Sequence, residues 1–243
     1  MLIFQLFYLY LFDEDAPILT TSSCVRNYCV IVWKRKNTPT RKANGMTNVA
    51  IIYYSATGHG TAMAAELART AEQAGAQVRL RHISETADPA TFQNNPAWTK
   101  NWEATKDEPA ATAADVEWAD VVIFGSPTRF SNVAHQFQAF IDSLGGSWAQ
   151  GKLADKVYAA FTSSQTVHGG QEITLQKIYQ MVMHFGGIIV TPGFTDPLKF
   201  ADGNPYGVSH VTGPNNDAEL DEATRNALAH MVKRAITVAE KLA

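Results

Sequence analysis

The sequence predicts an α/β domain built on a doubly wound parallel sheet of five strands, with helices on both faces. Three observations predict it. From Met46 onward, short apolar runs alternate with segments of helical periodicity, the order expected of a parallel sheet. Most of the apolar runs are continuous, as strands buried on both faces read, while Gln77–His82 alternates. The segments after the first, third and fourth runs are rich in Gly, Ser and Thr, at the strand ends where an open sheet of this kind binds ligands.

Each element follows in order. Asn48–Tyr54 reads as the buried first strand. Thr61–Ala74 reads as a helix with Met63, Ala64, Leu67, Ala68 and Ala71 on one face and Gly75 closing it. Gln77–His82 is the second strand, and residues 84–115, rich in Pro, Asn, Thr and Ala, form a long connection with at most a short helix. Val121–Gly125 is the third strand, followed by a helix over Asn132–Leu144. Val157–Thr162 is the fourth, followed by a helix over Gln171–Phe185, and Ile188–Thr191 is the fifth, ended by Pro192-Gly193. Residues 193–216 read as a second long loop. The last helix is expected to start at Asn216, three residues before Glu219 in capping-box spacing. Leu220, Ala223, Ala227, Met231, Ala235, Val238 and Leu242 mark its buried stripe. Long loops in a compact domain are usually functional or disordered, so both are expected on the substrate side.

The 243 residues suffice for one sizeable domain, assigned here to residues 46–243. Residues 1–45 are expected to stand outside it. Their opening MLIFQLFYLYLF is too short to span a bilayer as a helix, and it lacks the basic start and cleavage site of a secretory signal. They read as a disordered or membrane-seeking leader, or as residues upstream of a start at Met46, the reading preferred here because Met46 stands two residues before the first strand. Both cysteines, Cys24 and Cys29, fall in this leader. The net charge is -3; residues 1–45 hold six basic and three acidic residues, so the domain carries -6. No basic footprint for nucleic acid exists, and no stable membrane insertion is expected. Among the histidines no HExxH or paired spacing points to a metal.

The chemistry is expected in three loops. Ser55-Ala56-Thr57-Gly58-His59-Gly60-Thr61 joins strand to helix, and its glycines and hydroxyls let backbone amides and the helix N-terminus converge on a phosphate. No Lys follows, so the P-loop pattern fails; the third glycine of GxGxxG is missing too, and the second strand ends without an acid for an adenosine ribose. A flavin mononucleotide (FMN) fits better than a dinucleotide, and a polar capped turn is the plain alternative. In Ser126–Asn132, exposed amides can meet the N5 and O4 edge of an isoalloxazine. Arg129 suits the ring's pyrimidine edge or a surface acid, and Phe130 suits local packing better than stacking. The run from Thr162 to Gln171 can wrap the ring carbonyls, while His168 fits a solvated loop equally well.

Six motifs, YYSATGHG, FGSPTRFSN, LGGSWAQGKL, FTSSQTVHGGQE, HFGGIIV and NPYG, appear in the order of the WrbA family of NAD(P)H:quinone oxidoreductases. The chain from Met46 to Ala243 resembles that family, within the flavodoxin-like superfamily. The resemblance implies phosphate binding by Ser55, Ala56, Thr57, Gly58, His59 and Gly60. It implies ring contacts from Thr128, Arg129 and Phe130, and from Ser163, Ser164, Gln165, Gly169 and Gly170. It places His184 beside the ring and Trp148 at the substrate pocket; read alone, His184 also suits a helix-end cation and Trp148 a core residue. The chain departs from the family at Phe194, where some members have Tyr, and at Thr212-Gly213-Pro214-Asn215, which replaces a more glycine-rich run.

What the resemblance implies is an enzyme: an FMN-dependent NAD(P)H dehydrogenase (quinone), cytoplasmic and homotetrameric, its subunit contacts shaping the active sites. NADH or NADPH is the donor and a quinone the acceptor, in a ping-pong order. No side chain need act as a catalyst, because the flavin carries the chemistry. The rivals are a flavodoxin-type electron carrier, an FMN reductase acting on azo compounds or free flavin, and an FMN-free interaction module.

Overall fold

The computed structural model describes residues 45–243, so the expectations for the leader, Cys24 and Cys29 lie outside the described residues. The first strand, β1 (Asn48–Tyr53), is buried throughout. It pairs in parallel with β2 (Gln77–His82) on one side and β3 (Val121–Pro127) on the other. Next to β3 runs β4 (Val157–Ser164), also parallel. The outer edge of β4 is shared: β5 (Ile188–Ile189) pairs with Val157 and Tyr158, and β6 (Val208–Val211) with Phe161–Ser164.

The sheet therefore has six strands in five positions, ordered β2-β1-β3-β4-β5 with β6 beside the far half of β4. The fifth strand is two residues long rather than Ile188–Thr191. The chain leaves the sheet, turns through α8 (Lys199–Asp202), and rejoins the same edge inside the segment expected to be loop. Lys199, fully buried, anchors this excursion by donating to Asp202 and to the Gly207 carbonyl that leads into β6.

Alternate residues of β1, β3 and β4 serve opposite faces, which is why their apolar runs are continuous. Val49, Ile51, Val121, Ile123, Ala159 and Phe161 pack under α1 (His59–Gln73) and α9 (Glu222–Leu242). Ala50, Ile52, Val122, Phe124 and Tyr158 pack under α5 (His135–Ser143) and α7 (Gln171–Phe185). Phe124 lies 5.5 Å from Phe137 and 5.8 Å from Tyr158, centroid to centroid; removing such a ring from a filled core costs about 3–5 kcal/mol.

Three short helices occupy the long connection after β2: α2 (Pro89–Phe92), α3 (Pro96–Thr105) and α4 (Ala113–Trp118). Each starts on a polar cap, with Asp88 and Asn95 accepting from the amides of Ala90 and Trp98 and Thr112 forming a capping box with Asp115. The last helix begins at Glu222, capped by Asp221, which accepts from the Thr224 amide at 2.7 Å. Asn216 is not its cap; it sits in a turn with φ 55. A five-residue helix, α6 (Gly145–Ala149), carries Trp148.

Candidate functional site

The carboxyl ends of β1, β3 and β4 bring the three loops around one cavity of about 420 Å³. Ser55, Ala56, Thr57 and His59 form one wall, Thr128, Arg129 and Phe130 a second, and Ser163, Ser164, Gln165 and Gly169 a third. Gly58, Gly60 and Gly170 shape these walls without lining the cavity. Pro127, Thr166, Thr212 and Asn216 also line it, although the sequence reading had not placed them among the cofactor-binding residues. Thr212 and Asn216 arrive because β6 carries the chain back to the strand ends.

The first wall is built to receive an anion. Helix α1 has no side-chain cap: its N-cap is Gly58, held at φ 96, where a side chain is strained. The Gly58 amide donates to Ser55 Oγ at 3.1 Å. The first-turn amides of a helix have no acceptor within it, and with the dipole they favour a phosphate. His59 donates from Nε2 to the Asn216 carbonyl at 3.0 Å and faces His210 at 5.4 Å, so the last turn is tied across the loop. Burial pushes the His210 imidazole below its ordinary range. The uncapped helix, the hydroxyls and the absence of an acid in the first helical turn fit the phosphate of FMN.

The second and third walls are joined. The Thr128 amide donates to the Ser163 carbonyl at 2.8 Å, and its hydroxyl donates to the Gly169 carbonyl at 3.2 Å. Thr128 thus binds loop to loop, with its polar groups already engaged. Arg129 and Asn132 exchange backbone hydrogen bonds at 2.7 and 3.0 Å around Phe130 and Ser131, whose φ values of 53 and 63 make this a left-handed turn. That turn lifts Phe130 into full exposure at the cavity, so the expected local packing of Phe130 is corrected. Ser163 and Ser164 lie in β4 rather than in a loop, and Gln165 donates to the Pro214 carbonyl at 2.8 Å.

Trp148 and His184 are brought to each other but not to this cavity. The Trp148 indole donates to the His184 carbonyl at 2.8 Å, and both side chains are exposed. They stand at the end of α7 opposite Gly170; fifteen residues of helix span about 22 Å.

A second cavity of about 250 Å³ lies on the β2 side of the Ser55–Thr61 loop and shares Ser55 with the first. Glu85 sits in it, accepting from Tyr54 (2.5 Å), Gln136 (2.6 Å) and Trp98 (2.9 Å). Burial raises the Glu85 carboxyl, but these donors and the Ala87 amide outweigh it and hold the group below its usual range. No helix among the described residues is long and apolar enough to cross a membrane.

Comparison with known proteins agrees with this geometry. A family model for NADPH-dependent FMN reductases matches residues 47–197. The chain is 48% identical over 195 residues to an NAD(P)H dehydrogenase (quinone) of Deinococcus radiodurans, covering 80% of this chain and 96% of that protein. It is 36% identical over 202 residues to a protein of the same name from Rhodopseudomonas palustris, covering 81% and 99%. Among solved structures, a WrbA-like flavodoxin from Agrobacterium tumefaciens superposes with a TM-score of 0.57 at 22% identity, over 81% of this chain and 99% of that one.

Proposed function

The chain belongs to the NADPH-dependent FMN reductase family, and from that premise we propose that it is an NAD(P)H dehydrogenase (quinone) that uses FMN, with residues 46–243 as the FMN-binding domain. The observation that carries the reading is the single cavity in which an uncapped helix N-terminus, the Thr128–Phe130 turn and the Ser163–Gly169 segment converge. Relatives named for quinone and NAD(P)H, matched over nearly their whole length, supply the substrates.

Ser55 to Gly60 hold the phosphate through backbone amides and hydroxyls. Arg129, Phe130 and the backbone of Ser163 to Gln165 hold the ring, with Thr128, Gly169 and Gly170 fixing those segments to one another. FMN supplies two-electron redox chemistry when bound. A cavity of about 420 Å³ is the size of a site for one drug-sized ligand. In this reading that ligand is FMN, and NAD(P)H and the quinone are taken in turn, a ping-pong order. Arg129 brings positive charge to the wall where negative charge develops. The same reading makes the protein a cytoplasmic homotetramer. Trp148 and His184, exposed and far from their own cavity, then meet the site of a neighbouring subunit.

The test is direct. Purified protein should show a flavin spectrum after FMN reconstitution, release FMN rather than FAD on extraction, and oxidise NAD(P)H faster when benzoquinone is present. FAD in the extract, or oxidation indifferent to benzoquinone, would remove the reading.

A further inference from the structure

The phosphate loop is short, glycine-containing and free of internal staples beyond the Ser55–Gly58 bond. Such a segment has many conformations open to it, so something outside it must hold its amides pointed one way. Asn101, on α3, reaches both ends at once. Its Nδ2 donates to the Ser55 carbonyl at 2.7 Å, and its Oδ1 accepts from the Thr61 hydroxyl at 2.8 Å. A side chain placed at Gly58 would meet Asn101 Oδ1 at 3.5 Å, so the same amide also backs the left-handed turn between those ends.

An asparagine is suited to this post because one short planar group offers a donor and an acceptor together. The helix that carries it is itself pinned. Asn95 caps α3, Trp98 stacks on Phe92 at 4.9 Å, and the Trp98 indole donates to Glu85. Asn101 does not line the 420 Å³ cavity; it stands behind the loop, in the wall of the second cavity.

Resting on the FMN reading, we infer that Asn101 is a positioning residue that sets the affinity of the loop for the flavin phosphate without touching the ligand. Riboflavin has the same ring and no phosphate, so it separates this role from a general loss of structure.

The experiment titrates FMN and riboflavin into flavin-free full-length protein by fluorescence quenching, alongside thermal melts. Wild-type protein should bind FMN more tightly than riboflavin. Asn101→Ala, losing two hydrogen bonds to the loop, should weaken FMN about tenfold and riboflavin by less than about twofold. Asn101→Asp, which sets an oxygen against the Ser55 carbonyl, should weaken FMN at least as much. Thr61→Val removes one of the two Asn101 bonds and leaves Asn101 in place, so a smaller loss of FMN affinity is expected even if the Asn101 variants fold poorly. An unchanged FMN-to-riboflavin ratio in these variants overturns the inference alone. A wild-type protein that binds neither flavin, or binds both equally, removes the FMN reading and the inference with it.

Discussion

Gly170 carries the contact that locks the third loop against the second. It precedes α7 with φ 89, and a Cβ there would stand 2.1 Å from Ser131 Oγ and 2.9 Å from Ser131 Cα. The second neighbour is backbone, so no rotamer change relieves the clash. Ser131 is itself in the left-handed region beside Phe130, a conformation that costs energy in non-glycine residues and persists only when its surroundings enforce it. Gly170→Ala should therefore lose about 1–3 kcal/mol of stability and displace the Phe130 turn. Denaturant melts should show the first effect and flavin titration a raised Kd for FMN. A variant with both quantities unchanged would mean that the turn relaxes freely and does not shape the cavity.

At the scale of elements, α4 is fastened to the edge strand β2 by one carboxylate. Asp115 Oδ2 accepts from the Thr112 amide and hydroxyl at 3.0 and 2.7 Å, and Oδ1 accepts from Arg79 and Arg81 at 3.2 Å each. Burial pushes the Asp115 carboxyl up, but the Thr112 hydrogen bonds and then the two guanidinium groups hold it below the ordinary range. A carboxylate with a depressed folded-state pKa stabilises above its unfolded value, near 3.9, and that contribution is lost as pH falls through the folded value. Asp115→Asn should cost about 1–3 kcal/mol at neutral pH. It should also flatten the fall of stability below about pH 4. Urea unfolding at pH 7 and pH 3.5 measures both; equal losses at the two pH values would show that the carboxylate charge contributes nothing.

The elements that were legible in the sequence are those whose evidence is local. The buried runs of β1, β3 and β4 and the stripes of α1 and α9 each carry their own period, although Leu242, expected on the α9 stripe, is exposed. Strand β6 does not: Val208–Val211 is four residues between Gly207 and Thr212, and only its pairing with the far end of β4 makes it a strand. Helices α2 and α3 did leave a signal, in Asp88-Pro89 and Asn95-Pro96, where a capping side chain precedes proline at the first helical position. Asn216 had the spacing of a cap, but tertiary ties to His59 put it in a turn, and Asp221 five residues on took the role. For the site, hydroxyl- and glycine-rich loops at strand ends could be read directly. Asn101 could not, because its partners are 40 and 46 residues away in sequence and nothing in its neighbourhood marks it.

At the scale of the whole molecule, the end of α7 that carries His184 lies away from the cavity. Trp148 is 53% exposed and Met183 65% exposed, and the carbonyl of His184, the residue after Met183, accepts from the Trp148 indole. An indole so exposed, with one hydrogen bond, contributes little to folding; Trp148→Ala should cost roughly 1 kcal/mol or less. FMN affinity should hold, since the loops proposed to bind it are about 22 Å away along α7. If a neighbouring subunit brings Trp148 to the ring, loss of an aromatic wall worth about 0.5–1.5 kcal/mol should cut kcat/KM for benzoquinone about threefold to tenfold. Subunit exchange then distinguishes contact within a chain from contact between chains. Trp148→Ala protein mixed with Gly58→Val protein, whose phosphate loop is disabled, would assemble sites with an intact loop from one chain and an intact tryptophan from the other. Their activity should exceed the average of the two parents, and light scattering should give the mass of a tetramer. A mixture no better than that average, or a monomer in solution, would show that Trp148 and His184 do not complete a neighbour's site.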